Sequence, residues 1–257
     1  MNAVVRAWRE EAPVCVAHRG GYGLAPENTL AGFANAIRLG CSWAELDVRA
    51  TRDGSLVVIH DPTVDRTTDG SGPVAEFTLR RLKKLDGGSK FSRKFARERI
   101  PTFGQVLRLV RGKLGLLVEL KVKGVERQVV AALRKARMDR NVIIIAHDLQ
   151  GLMRVKRLAS HIATGLLSSS LRPTEAPGPL IASARRIRAF LVPARLDVTA
   201  EGIEEAHAGD LVAVSEPAED PEVMERLLAL GIDGIVTARP DILLKVLRRR
   251  RRGSPQG

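Results

Sequence analysis

Residues 125–158 read VERQVVAALRKARMDRNVIIIAHDLQGLMRVKRL. The centre, Val142–Ala146, is apolar, rich in Val and Ile, and too short for a helix. That composition suits a strand buried on both faces. The flanks, Val125–Ala136 and Leu149–Leu158, repeat apolar residues at helical spacing. The unit is therefore helix–strand–helix. Outward from it the same alternation continues. Further strand-like runs are Val14–Ala17, Ala44–Val48, Leu114–Leu120, Ala163–Leu167, Ala189–Val192, Leu211–Val214 and Gly234–Val236. Helical stretches between them are Asn28–Leu39, Thr102–Val110, Ile181–Arg186, Ala200–His207, Pro221–Leu230 and Pro240–Leu247. Pro221 and Pro240 sit where a first helical turn tolerates proline, and Gly40 and Gly231 sit where helices end.

Strict alternation implies a parallel sheet. Eight units in 257 residues imply a closed (β/α)₈ TIM barrel filling one domain over residues 1–257. The alternative is an open doubly wound sheet, but no G-x-G-x-x-G follows the first strand. Two interruptions stand out. RATRDGSLVVIHD, residues 49–61, has a turn at Arg52–Ser55 between β-rich runs and predicts a hairpin after strand 2. If Thr51 pairs with Leu56, Asp47 lies opposite His60. Residues 61–100 then form one insertion near the barrel mouth, with a helical stretch around Phe77–Leu85.

Composition bounds the function. The chain carries 42 Lys+Arg against 29 Asp+Glu, a net charge of +13. Residues 80–99 hold nine basic and two acidic residues (+7), and residues 245–252 hold six basic ones (+6). Because 7 + 6 accounts for the whole excess, the rest of the chain is formally neutral. With 32 Arg against 10 Lys and an Arg248–Arg252 run, residues 248–257 read as a solvated basic tail. No nucleic-acid partner is expected. Weak contact with an anionic membrane is open through residues 80–99 and 245–252. No apolar run is long enough to span a membrane, and the first residues lack the apolar core of a signal peptide. Cys15 and Cys41 form no disulfide framework and are expected to pack as small buried residues, so a cytoplasmic location is the default expectation.

Barrel enzymes take their reactive groups from the C-terminal ends of different strands. Here those ends carry His18-Arg19, Glu45 and Asp47, His60-Asp61, Glu119-Leu120-Lys121, and His147-Asp148. Glu45 and Asp47 are two apart and share a face, as do Glu119 and Lys121. A single strand-end histidine is commonly structural. So is a lone acidic pair. Their conjunction at one barrel end points to a site. Three converging carboxylates call for a cation, and all-oxygen ligands favour Mg²⁺ or Ca²⁺ over Zn²⁺. Arg19 and Lys121 suit a phosphate, and two histidines suit general acid–base work. The reaction class is phosphoryl chemistry, most simply phosphodiester hydrolysis. His147 stays ambiguous, Asp61 before Pro62 reads as a turn former, and His161 and His207 fall in helical stretches.

The motifs VAHRGGYGLAPENTLAGFANAI (16–37), AELDVRATRDGSLVVIHDPTVDRTTDGSG (44–72), LDGGSKFSRKFARERIPTFGQVL (85–107), LLVELK (116–121) and GIDGIVTARPD (231–241) occur in that order. Together they resemble the glycerophosphodiester phosphodiesterase family over most of the chain. The resemblance implies His18 and His60 as the acid/base pair. It makes Glu45, Asp47 and Glu119 ligands to one divalent cation, Mg²⁺ or Ca²⁺. Arg19 and Lys121 become the phosphate-binding residues. Glu27-Asn28 falls in the family's P-E-N-T stretch, with Asn28 expected to cap the helix. Implied substrates are glycerophosphodiesters, cleaved to glycerol 3-phosphate and an alcohol. A lysophospholipase D-type activity on lipids would use the same residues. A basic membrane- or nucleic-acid-binding protein with an inactive barrel would not need them. This chain departs from the family where LVAVSEPAEDPE (211–222) lacks a Trp and where Ala146-His147 replaces Ser-Phe. Both changes bear on the alcohol group rather than on the chemistry.

Overall fold

Apolar runs alternating with amphipathic helices close into a barrel in the computed structural model, which describes residues 3–167 and 178–253. In chain order the elements are α1 (Ala3–Glu11), β1 (Val14–Ala17), α2 (Leu30–Leu39), β2 (Trp43–Ala50), β3 (Leu56–Val58), α3 (Leu79–Leu82), α4 (Phe103–Val110) and β4 (Gly115–Leu120). Then follow α5 (Glu126–Ala136), β5 (Val142–Ala146), α6 (Leu149–Leu158), β6 (Ala163–Leu166), α7 (Gly178–Arg186) and β7 (Leu191–Ala194). The last are α8 (Ala200–Ala208), β8 (Val212–Ser215), α9 (Pro221–Ala229), β9 (Gly234–Thr237) and α10 (Pro240–Gly253). Strands β1, β2 and β4–β9 pair in parallel, and β1 closes the ring by pairing with both β2 and β9. The predicted (β/α)₈ barrel is therefore the observed fold.

Strand alternation sorts the side chains. Val14, Val16, Trp43, Leu117, Ile143, Ile145, Val214 and Val236 pack together inside the barrel. Their neighbours Leu46, Val48, Leu116, Val118 and Ile144 pack outward against the helices. Continued by twos, the inward positions lead to His18, Glu45, Asp47, Glu119 and His147 at the C-terminal rim. One pattern thus builds the core and loads the mouth.

The N-terminal end of the barrel is plugged by α1, an element with no counterpart in the alternating pattern. Trp8 is fully buried there, 4.7 Å from Trp43 and 6.5 Å from Phe190 between ring centroids, both edge-on. Glycine makes room for these rings: a Cβ at Gly234 would meet Trp8 at 2.8 Å, and one at Gly115 would meet Trp43 at 2.7 Å. Removing the indole would leave a cavity. Trp8→Ala is expected to cost about 3–5 kcal/mol in urea unfolding while sparing the mouth at the opposite end.

The hairpin forms, but its register differs by one residue from the expected pairing. Observed partners are Ala50 with Leu56, Arg49 with Val57 and Val48 with Val58. Asp47 therefore faces Ile59, whose N–H donates to the Asp47 carbonyl at 3.0 Å, and not His60. The cause is the loop. Thr51 N–H donates to the Ser55 carbonyl (3.0 Å), and Ser55 N–H donates to Thr51 Oγ1 (3.0 Å). That leaves a three-residue loop, Arg52–Gly54, with Gly54 at φ 76° as its left-handed residue.

The insertion has its own small core of Val57, Ile59, Val64, Val74, Phe77, Leu82 and Ile100. Its helical stretch is only α3, capped by the Thr78 side chain. Asp86 ties the loop together by accepting from the backbone of Gly88, Ser89 and Arg97. One further expectation changes. Arg248–Arg251 is exposed as expected, but the Arg248–Arg252 run is not irregular: it continues α10 to Gly253, and Arg250 pairs with Glu225 at 2.9 Å. Arg is a good helix former, and its charge suits a helix C-terminus. Residues 254–257 lie outside the described residues. Helix α10 starts at the mouth and runs back about 21 Å at 1.5 Å per residue. Its Arg run therefore lies away from the mouth, whereas the basic insertion borders it. No helix among the described residues is long and apolar enough to cross a membrane.

Candidate active site

Strand β1 ends at Ala17, and His18–Gly20 turn sharply through a short 3-10 segment. Arg19, Gly20 and Gly21 all have left-handed φ (50°, 81° and 86°). Gly20 is required there, because a Cβ would meet Gly32 C at 3.0 Å and Phe33 N at 3.1 Å. The turn aims Arg19 N–H at Glu45 Oε2 (2.9 Å) and places His18 Nε2 3.8 Å from the same oxygen. Nδ1 of His18 is buried and has no hydrogen-bond partner among the described residues. Burial, then the Arg19 charge, pushes the His18 imidazole down to about 3, and His60 is near enough to add to the effect.

Glu45, Asp47 and Glu119 each offer an oxygen within 4.8 Å of the others, and all three are inaccessible or nearly so. Positive side chains surround them. Lys121 Nζ lies 2.7 Å from Glu119 Oε1 and 3.3 Å from Asp47 Oδ1. Arg19 Nε lies 3.6 Å from Asp47 Oδ2. Glu45 is left over: its Oε1 is buried with no hydrogen-bond donor among the described residues. Burial first, then the Asp47 and Glu119 carboxylates, pushes its carboxyl well above the usual range. A buried oxygen-only set with an unpartnered carboxylate oxygen fits a hard divalent cation.

His60 reaches the rim by a route other than strand pairing. The ladder of β3 stops at Val58, and Arg49 Nε holds the His60 carbonyl at 2.8 Å. Its ring Nδ1 then sits 2.7 Å from Asp61 Oδ1. Asp61 is more than a turn former: hydrogen bonds from Arg66 hold its carboxyl below the usual carboxylate range. Arg66 also forks onto Glu27 (2.6 and 2.8 Å), which binds Arg19 at 3.0 Å. Burial works against the Glu27 charge, but Arg66 and Arg19 hold its carboxyl below the ordinary value. A chain of charges from His60 through Asp61, Arg66 and Glu27 to Arg19 thus joins the insertion to β1.

Sequence reasoning misplaced Asn28. Thr29 caps α2, its Oγ1 accepting from Gly32 N–H at 3.2 Å. Asn28 is held at φ 55°, and its Nδ2 donates to Asp47 Oδ2 at 2.8 Å. The sequence signal was its place in the P-E-N-T stretch. Asn28→Ala would lose a hydrogen bond to a charged group and strain a left-handed residue. The expected loss is about 2–4 kcal/mol in chemical denaturation. Asn28→Gly should recover only the backbone part.

His147 lies on the rim, 4.0 Å from Glu119 Oε1 and mostly exposed. His161 and His207 are away from the site, paired with Asp139 (2.9 Å) and Asp233 (2.8 Å). His161 sits in the turn after α6 rather than in a helix. The mouth itself is a cavity of ≈230 Å³ with His18, Glu45 and Glu119 on its wall and Leu117, Ile145 and Val214 below.

A barrel with buried acids, two histidines and the cationic Arg19 and Lys121 at one rim fits the class of phosphoric diester hydrolases. The family model of the glycerophosphoryl diester phosphodiesterase family matches residues 18–242. A glycerophosphodiester phosphodiesterase of Caldanaerobacter subterraneus subsp. tengcongensis is 38% identical over 244 residues, covering 91% of this chain and 97% of its own. One from Bacillus subtilis is 30% identical over 252 residues, covering 90% and 85%. Among solved structures, an Oleispira antarctica phosphodiesterase in complex with the product sn-glycerol-3-phosphate superposes with a TM-score of 0.83 at 26% identity, over 94% of this chain and 99% of that one. A glycerophosphodiester phosphodiesterase from Agrobacterium tumefaciens gives 0.80 at 28%, over 90% and 98%. The chain belongs to the glycerophosphoryl diester phosphodiesterase family and is an enzyme of that kind.

Proposed function

We propose that this protein hydrolyses glycerophosphodiesters to glycerol 3-phosphate and an alcohol, with one Mg²⁺ or Ca²⁺ held by Glu45, Asp47 and Glu119. The observation that carries it is the buried Glu45 oxygen with no donor, set among two further carboxylates. When bound, the cation supplies Lewis acidity toward a phosphoryl oxygen. Arg19 and Lys121 hold the remaining phosphate charge and the charge that builds during attack. The nucleophile is water or the neighbouring glycerol hydroxyl. One of His18 and His60 takes its proton as the new P–O bond forms. The other gives a proton to the alkoxide as the bond from phosphorus to the alcohol oxygen breaks. With water, one turnover consumes one water and leaves no net charge change on the histidine pair. With the hydroxyl, a cyclic phosphate forms first, and water opens it by the same exchange in reverse.

Asp61 fixes the His60 ring, and Arg66 fixes Asp61. The Oleispira complex with sn-glycerol-3-phosphate supports this substrate class. The free, buried Cys15 and Cys41 suit a reducing compartment such as the cytoplasm. The test is a panel of glycerophosphodiesters and lysolipids, assayed in EDTA and again with Mg²⁺ or Ca²⁺ restored. Turnover of diesters that vanishes and returns supports the assignment; turnover indifferent to chelation contradicts the metal. A lysolipid activity is the second candidate, favoured by Phe91, 45% exposed on the basic insertion beside the mouth.

A further inference from the structure

Residues 87–97 of the insertion wall two clefts. Lys90 and Phe91 line one of ≈190 Å³ together with Tyr22, whose ring lies edge-on to His18 at 5.2 Å. Lys94 and Phe95 line another of ≈630 Å³, with Leu24 and with Ala31 and Leu39 of α2. Phe91 and Phe95 meet edge-on at 5.6 Å, so their rings run from one cleft to the other. A single exposed apolar side chain is ordinary on a protein surface. This one is neither isolated nor loosely held. Phe91 is the exposed large apolar side chain among the described residues, and Phe95, Leu24, Ala31 and Leu39 beside it are only half-buried. Asp86 fixes the loop by accepting from the N–H groups of Gly88, Ser89 and Arg97.

The charge on this surface is positive when every acid is counted. From Asp86 to Arg99 the loop holds five cations and two carboxylates. The walls of the two clefts add Arg38 and Arg66 against Glu27 and Asp241, so the surplus belongs to the loop. Asp65, whose carbonyl receives Lys90, reduces the surplus without cancelling it. Lys90, Arg93, Lys94 and Arg97 are all exposed, and among the described residues none of them pairs with a carboxylate: Lys90 is on a backbone carbonyl, and Lys94 lies over the Phe95 ring at 5.7 Å.

We propose that residues 87–97 dock this protein on anionic phospholipid bilayers, with Phe91 entering the interface and Arg93, Lys94 and Arg97 on the headgroups. Aromatic rings favour the boundary between headgroups and acyl chains, and each basic residue beside an anionic leaflet is worth about fivefold in binding. The same contact brings the cleft that ends at Tyr22 and His18 to the lipid surface. Binding is read without turnover, so this inference stands or falls separately from the function proposed above.

The test is co-sedimentation of the full chain with phosphatidylglycerol vesicles and with phosphatidylcholine vesicles at low ionic strength. The wild type should bind the first and not the second, and added salt should weaken binding. Phe91→Ala should weaken it by roughly 5-fold or more. Arg93→Glu/Lys94→Glu should weaken it by roughly 10-fold or more. Arg248→Glu/Arg249→Glu, at the far end of α10, should leave it unchanged, and thermal melting shows that each variant is folded. Trp8 and Trp43 are buried, so the emission of Phe91→Trp should move to the blue on phosphatidylglycerol vesicles through the new indole. No binding to phosphatidylglycerol, equal binding to phosphatidylcholine, or binding unaltered in the folded loop variants would overturn the proposal. So would a loss carried by the α10 variant, or a Phe91→Trp emission that vesicle binding does not move. An oligonucleotide that strips the wild type from the vesicles, and that the loop variants no longer bind, would overturn it in favour of a nucleic-acid surface.

Discussion

His18→Ala and His60→Ala are each expected to lower kcat by at least ~10²-fold while leaving the fold intact, the low end for a lost general acid or base. The two should fail for different structural reasons. His18 is packed at the end of β1 beside Glu45, within a turn of three left-handed residues, and its replacement leaves a small void at the mouth. His60 is about one-third exposed, steered by Asp61 at 2.7 Å and by Arg49 on its carbonyl. Asp61→Asn should therefore reproduce part of the His60 defect in kcat with little change in KM. A His18→Ala/His60→Ala double variant should lose little more than the worse single one, because one proton exchange needs both partners. Near-normal turnover by either folded single variant would remove that residue from the chemistry. Urea unfolding of the same variants separates lost catalysis from lost fold.

Much of this was legible because one periodicity serves two purposes. The inward positions of β1, β2, β4 and β5 are Val16, Trp43, Leu117 and Ile145 in the core, and two or four residues further they become the rim set. The hairpin register was not legible. It turns on whether Thr51 closes onto Ser55 or Leu56, and a one-residue choice in a loop is decided by local hydrogen bonds and by Gly54. His60 still reaches the site because it lies beyond the ladder, where the pleat no longer dictates direction. Helix α1 was invisible to a strand–helix count, since it belongs to no unit and is held by Trp8 and Val4 in the barrel floor and by Arg9 on Asp210. Asn28 was read as a cap because Asn favours that position; its φ of 55° and the buried carboxylate beside it are long-range facts. The arginine run looked like a tail by composition, yet helix propensity and the packing of α10 on α9 and α2 carry it as a helix.

The charge excess also divides by position. The +7 of residues 80–99 sits on the insertion that borders the mouth, where it can draw an anionic diester inward. The Arg248–Arg252 helix end faces away from it. The two basic segments therefore do not form one surface.

Glu45→Gln is the second large expected effect. It keeps the shape and removes one ligand charge, so kcat/KM should fall by about 10³-fold, several kcal/mol of charge stabilisation at the phosphate. Stability without metal should move the other way. Glu45 is buried, repelled by Asp47 and Glu119, and has an oxygen with no donor. An amide there relieves the repulsion, so the metal-stripped variant should melt at the same temperature as the wild type or higher. A folded variant that is inactive yet no less stable would be the signature of a residue kept for its ligand charge.

Thermal melting of the metal-stripped full chain, with and without excess Mg²⁺ or Ca²⁺, tests the three-carboxylate site without reference to turnover. A cation at about 100 times its Kd stabilises the native state by ~2.7 kcal/mol, so the wild-type Tm should rise by roughly 5–10 °C. Glu45→Gln should lose most of that rise. Equal shifts in wild type and variant, or none in the wild type with either ion, would contradict a divalent cation held by Glu45, Asp47 and Glu119.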